Sequence, residues 1–360
     1  ARHCLRVYAN AQALSLAERA APCLERLPPH QAERIAGAIE LIELRIFASA
    51  ASPNFGSRVS GWVRELESAI QIAQDAGLRQ DAANGLHMLS WLAQQCNDIG
   101  ATREATLRAE LMSRGGDDSA RCLQLANTGR CLMEVESDLP RARELIASAT
   151  ALAQAQSLQV IELEWARGLI ARWDGDWDTA QRLVRAAVTM ARARQDRWRE
   201  FECLNWLATI QLERGRWAEV ATLGAEIADV AARAGGGLTA PFGEALRALA
   251  AMAAEAPTPS EATGRAVDAS IAHLRSVDDK AHLAYALNQL AALELSRGHH
   301  DAATAAATDA LAAAQAVRRA TEIATARALL ARASRQADEL DRLAASPELS
   351  ARARRVLSQA

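Results

Sequence analysis

The sequence predicts an all-α protein, a solenoid of antiparallel helix pairs stacked in roughly seven to eight units. Three observations carry this. A Gly-x-Trp corner followed by a helical run recurs in WDGDWDTAQRLVRAAVTMARA from Trp173 and in ERGRWAEVATLGAEIADVAARA from Glu213. Turn anchors at Ser57, Gly100, Ser137, Gly175, Gly215, Pro257 and Gly298 follow one another at 43, 37, 38, 40, 42 and 41 residues, a spacing typical of helical repeats. No stretch alternates apolar and polar residues over strand length, while the strong helix formers Ala, Leu, Arg and Glu dominate.

Taken in chain order, AERIAGAIELIELRIFA from Ala32 spaces its apolar residues at three and four, as one buried helix face requires. FECLNWLATIQLERG and ALNQLAALELSRG repeat the pattern later. Each helix pair leaves an apolar face that only a neighbouring pair can cover, so the units must stack. At the corners, Gly175, Gly215 and Gly298 can adopt the left-handed conformation that ends the first helix. Asp176 can then cap the second. Trp177 and Trp217 are expected to fold back as wedges between the helices, where truncation of a buried Trp costs about 3–5 kcal/mol. Small residues at Ala142, Ala180 and Ala303, and again at Ala149, Ala187 and Ala310, mark close helix contact. GGGLTAPFG from Gly235 and EAPTPSEATG from Glu255 interrupt the pattern and read as long loops within one domain, or as a hinge around Gly235–Gly237.

The expected organisation is a single solenoid over 1–360, with an atypical junction at 1–50, regular repeats at 51–334 and a carboxy-terminal cap at 335–360. The chain opens without Met or a signal-peptide core, so we expect a piece of something longer.

In LNWLATIQLERGRWAEV, the residues Leu204, Leu207, Ala208, Gly215 and Trp217 match the tetratricopeptide-repeat pattern; in LNQLAALELSRGHHDAA, Leu287, Leu290, Ala291, Gly298 and Ala303 do. The chain therefore resembles a tetratricopeptide-repeat solenoid. The units are longer than the common repeat and lack its terminal Pro. With endings such as ALAQAQSL and VTMARARQD, and the stretch QLANTGRCLMEVESDLPRARELI, they are similar to the carboxy-terminal sensor arm of maltose-activator-like signal-transduction ATPases. That resemblance implies a right-handed superhelix whose inner helices line a concave groove. Matched position by position, it puts Trp165, Leu169, Arg172 and Trp173 on that face in one unit and Glu202, Asn205, Thr209 and Glu213 in the next. Asn127, Asn205 and Asn288 share one groove position in three units. These ten residues are the candidate site for a ligand or partner, since Trp beside Arg is the chemistry of a binding hot spot. The same residues also suit inter-repeat core, with each Asn bonding a neighbouring backbone.

Other chemistry is thin. The only lysine, Lys280, follows Asp279, so no phosphate-binding Gly-Lys-Ser/Thr loop is present. H-E-x-x-H and G-x-S-x-G are absent. His299-His300 reads as a solvated turn, the pairs Glu40/Glu43 and Glu162/Glu164 as ordinary helix surface, and RARQDRWRE from Arg192 as a helix end or a contact for an acidic partner. The six cysteines lack zinc or redox spacing, which fits a reducing compartment. Net charge is −3, from 41 basic and 44 acidic residues, which gives no basic excess for nucleic acid or anionic lipid. We therefore expect no catalytic residues, no metal and no cofactor in this segment, a cytoplasmic location, and no direct contact with nucleic acid or membrane. The expected function is a non-catalytic sensor and protein-interaction arm of a larger ATPase regulator. It would bind a protein or peptide partner, with a small effector or self-association as further options. A stand-alone peptide-binding adaptor is the alternative.

Overall fold

The computed structural model describes Cys4 and residues 10–49, 55–233, 240–255, 258–346 and 349–358. Among these, eighteen helices follow one another and no strand occurs. They are α1 (Asn10–Glu25), α2 (Ala32–Ser49), α3 (Phe55–Asp75), α4 (Arg79–Gln95), α5 (Ile99–Ser113), α6 (Asp118–Glu134), α7 (Leu139–Ala155), α8 (Ile161–Asp174) and α9 (Trp177–Ala193). The second half holds α10 (Arg197–Glu213), α11 (Trp217–Arg233), α12 (Ala240–Ala254), α13 (Glu261–Ser276), α14 (Lys280–Ser296), α15 (His300–Ala316), α16 (Ala320–Ala333), α17 (Ala337–Ala344) and α18 (Ala351–Ser358).

Contacts divide the chain into two compact units, each described by itself below. Unit 1 is Ala1–Arg167, Ala186–Phe201 and Val230–Leu238; unit 2 is Gly168–Arg185, Glu202–Asp229 and Thr239–Ala360. In unit 1, α1 to α7 pack each on the next, and α4 also meets α2 and α6. In unit 2, α12 to α18 do the same, and α14 also meets α12 and α16. Within unit 1 the even-numbered helices α2, α4 and α6 thus meet in succession, and within unit 2 so do α12, α14, α16 and α18, with the odd-numbered helices completing the pairs. Unit 1 has a core of Ile35, Ile39, Ile46, Trp62, Leu66 and Leu86 with further small and aliphatic residues. In unit 2, one cluster joins Ala291, Ala306, Ala307 and Leu329, with Leu290, Leu295 and Val356 against them, and Phe242, Leu246, Leu249 and Leu274 are buried as well.

The small residues expected at close contacts are all fully buried: Ala142, Ala149, Ala180, Ala187, Ala303 and Ala310. Gly168 belongs with them. A Cβ there would lie 2.5 Å from Val184 Cγ2, so α8 and α9 touch at a point where even alanine does not fit. The corner logic holds at Gly175, Gly215 and Gly298, with φ of 85°, 72° and 79°. Asp176 Oδ1 accepts from Thr179 N–H at 3.1 Å, capping α9.

Other corners depart from expectation. Ser57 lies inside α3 and Gly100 inside α5; the left-handed residue before α5 is Asn97. Pro257 and the Gly235–Gly237 segment lie outside the described residues. Several units close their helices with left-handed residues other than glycine, among them Ser157, Gln195, Asp278 and Arg318. Each holds a conformation that costs an L-residue roughly 1–2 kcal/mol. Ser157→Gly is accordingly expected to stabilise the protein by about 0.5–1 kcal/mol, seen as a raised denaturant midpoint at constant slope. Trp177 and Trp217 are half-buried rather than wedged deep in the core. Each opens its helix at the first position, where the ring lies along the corner: Trp217 beside Gly215, Trp177 under the guanidinium of Arg355.

Candidate functional site

All ten sequence-selected residues fall on the even-numbered helices, on α6, α8, α10 and α14. Their exposure differs. Asn127, Trp165, Leu169, Asn205, Thr209, Glu213 and Asn288 are buried; Arg172, Trp173 and Glu202 are half-buried. The Trp pair is therefore not exposed as a pair. Trp165 is closed over by Arg130, whose Cζ sits 4.4 Å from its ring centroid, and its indole N–H has no hydrogen-bond acceptor.

In unit 1 the even helices carry a buried ionic cluster. Arg130 Nη1 donates to Glu134 Oε2 at 2.6 Å, and Gln94 Nε2 donates to the same oxygen at 3.1 Å. Arg199 pairs with Glu162, and with Asp196 at 2.7 Å. Burial works against the charge of both arginines, but Glu134 and Glu162 respectively hold each one firmly protonated. His87 faces these cations. Burial, then Arg130 and Arg199, push its imidazole down to about 3, so it is neutral at physiological pH. Nearby, Trp198 of α10 lies 5.4 Å from Trp91 and 5.7 Å from Phe47, ring centroid to centroid.

In unit 2, Arg172 grips Glu213 through two bonds, Nε to Oε2 at 3.0 Å and Nη2 to Oε1 at 2.5 Å. Its Cζ lies 5.2 Å from the Trp206 ring centroid. Asn288 Nδ2 donates both to the backbone oxygen of Glu322 at 3.0 Å and to its Oε2 at 2.8 Å. That backbone bond is the one expected of a core asparagine. Asn205 has a buried Oδ1 with no donor, while Thr209 Oγ1 donates to the Asn205 backbone oxygen at 2.9 Å. Glu202 adds negative charge near His282, which Asp279 holds protonated more firmly than usual although burial opposes it.

Sequence reading missed His87, Arg130, Tyr285, Glu322 and Arg352. Arg130 and Glu134 stand four apart on one helix, a visible signal. Glu322 and Arg352 gave none, because their partners are distant in the chain. Among the described residues, no group of three His, Cys, Asp or Glu side chains is placed to hold a metal, and no helix is long and apolar enough to cross a membrane.

Within each unit, the even-numbered helices hold aromatic faces, guanidinium groups and carboxylates together. No family model and no curated protein matches the chain. Solved structures do. A Rap protein complexed with competence and sporulation factor superposes with a TM-score of 0.59 at 13% identity, over 94% of this chain and 97% of that one. A signal transduction ATPase with numerous domains (STAND) that carries a tetratricopeptide repeat sensor, from Pyrococcus horikoshii, superposes with a TM-score of 0.51 at 12% identity. It is matched over 97% of this chain and 52% of its own, so the chain spans about half the length of that protein. The chain is thus a tetratricopeptide-like helical solenoid, resembling in fold the sensor arm of a STAND ATPase.

Proposed function

We propose that this chain is a non-catalytic, cytoplasmic sensor and protein-interaction arm that docks an effector or partner on the even-helix face of unit 2. In this reading 1–360 is one solenoid attached to a signal-transduction ATPase regulator. Small rotations between repeats add up along a solenoid, so a ligand that prefers one arrangement shifts the population of the whole arm. The observation that carries the reading is the set of Arg172, Trp173, Glu202, Asn205, Glu213 and Asn288 side chains that α8, α10 and α14 carry within unit 2. The likeness in fold to a sensor-bearing ATPase supports it. The coding sequence before Ala1 provides one check, since the ATPase reading requires a nucleotide-binding domain upstream. A second check is capture of partners by the tagged chain. Trp173 is the residue to vary, because it is half-buried whereas Trp165 is core. Trp173→Ala with Glu202→Arg is expected to reduce a retained partner at least about tenfold, as loss of one hot spot does, with the thermal melt unchanged. Equal retention by wild type and variant counts against this face.

The second reading is a stand-alone adaptor. It is favoured by the match to the Rap protein over nearly all of both chains, since that protein was crystallised with a bound factor. An upstream coding sequence with no further domain would favour it over the ATPase arm.

A further inference from the structure

The carboxy-terminal helix α18, ARARRVLS, lies on the even-helix face of unit 2. Its eight residues contain three arginines and no acid. A helix this short is not stable alone in water, so docking holds it. Two of its arginines make the contacts. Arg352, itself buried, pairs through Nη1 with Glu322 Oε1 and approaches Glu213 Oε1 with Nε at 3.7 Å. Its guanidinium lies over Tyr285, Cζ 4.2 Å from the ring centroid. One turn on, Arg355 donates to the backbone oxygen of Glu213, with its Cζ 4.9 Å from the Trp177 ring centroid. The apolar share is small: Val356 against the Ala291–Leu329 cluster and Ala351 against Gly175.

The receiving surface is made for guanidinium. Among the described residues, the carboxylates of Glu213 and Glu322 have one cation outside α18 paired with them, Arg172. Planar cations are read by carboxylate forks and by aromatic faces, and this surface supplies both in alternation: Trp177, Glu213, Tyr285, Glu322. The helix that fills it is an imperfect fit. Tyr285 Oη, Asn288 Oδ1 and Arg352 Nη2 are buried at the contact without hydrogen-bond partners. A segment that satisfied them would bind more tightly than α18 does.

We propose that this surface is a binding site for a helical protein segment carrying two arginines three residues apart, and that α18 is its built-in competitor. The proposal rests on the even-helix face being a docking surface, and adds the chemistry of the partner. Tethering gives α18 an effective concentration in the millimolar range. A free segment of equal quality therefore binds the intact chain weakly and binds tightly only once α18 is weakened.

The test uses a fluorescent peptide of residues 349–358 and the full chain, as wild type and as Arg352→Ala/Arg355→Ala. The peptide is expected to bind the double variant at least about tenfold more tightly than wild type. A peptide with both arginine positions changed to glutamine is expected to bind neither. Equal affinity for both chains, or equal binding of the glutamine-substituted peptide, overturns the proposal. If circular dichroism shows that the double variant does not fold, hydrogen exchange on wild type decides. Millimolar peptide should speed exchange in 351–358, and unchanged exchange overturns the idea. These readouts involve neither Trp173 nor Glu202, so this site can fail while the docking face in "Proposed function" stands, and the reverse.

Discussion

Replacing Arg130 with alanine is expected to destabilise unit 1 by about 3–5 kcal/mol, the cost of breaking a buried ion pair from one side. Glu134 is 4% exposed, and its carboxylate has Arg130 and Gln94 as partners. With the guanidinium gone, the charge keeps one neutral donor in a site that water barely reaches. Trp165 loses the cation that covers it, at a further cost of about 1 kcal/mol included in that range. The ion pair itself is not the source of the stability. Arg130→Met combined with Glu134→Leu, which removes both charges and keeps volume, should recover most of the loss. Denaturant midpoints of the two single variants and the double variant measure this. A single-variant loss under about 1 kcal/mol would mean that water already solvates Glu134.

The repeat was legible because its corners use chemistry that any reader of a sequence can see. Glycine at 175, 215 and 298 marks left-handed helix ends, and alanines at fixed offsets mark close contact. Where a unit closes on Asn97 or Ser157, the same geometry is bought with strain rather than with glycine, and the anchor slipped to Gly100. For the candidate residues, the sequence reading reached as far as the helix that carries each one. Matching positions put Trp165 and Arg172 on even-numbered helices, but nothing local shows that Arg130, from the preceding unit, covers Trp165. The contact between Arg355 and Glu213 spans 142 residues, and no pattern in ARARRVLS names that partner. Periodicity fixes which way a side chain faces. What it meets there depends on which unit follows, and on where the tail returns.

The protein is expected to lose about 3 kcal/mol of stability through His87 alone between pH 6.5 and about pH 4. The sign follows from the direction of the shift. Unfolded, the imidazole takes up its proton near the ordinary 6.5; folded, it does so only near 3, because burial, Arg130 and Arg199 all oppose a further positive charge. Above 6.5 neither state is protonated and the penalty is absent. Below it the unfolded state binds a proton that the folded state refuses, and stability falls by about 1.4 kcal/mol per pH unit. The loss levels off only below about 3, where the folded imidazole is protonated as well. Its Nδ1 is buried without a hydrogen-bond partner, so nothing in the fold rewards the charged form. The contribution of His87 is isolated by subtracting the pH profile of His87→Gln, which has no proton to bind, from that of wild type. The difference should be flat above pH 7 and steepen from 6.5 downward. With Arg130→Ala as background the loss should level off at a higher pH, because one of the two opposing cations is gone. A difference profile that stays flat to pH 4 would show that the folded imidazole protonates normally, and that the cations on α6 and α10 do not act on it.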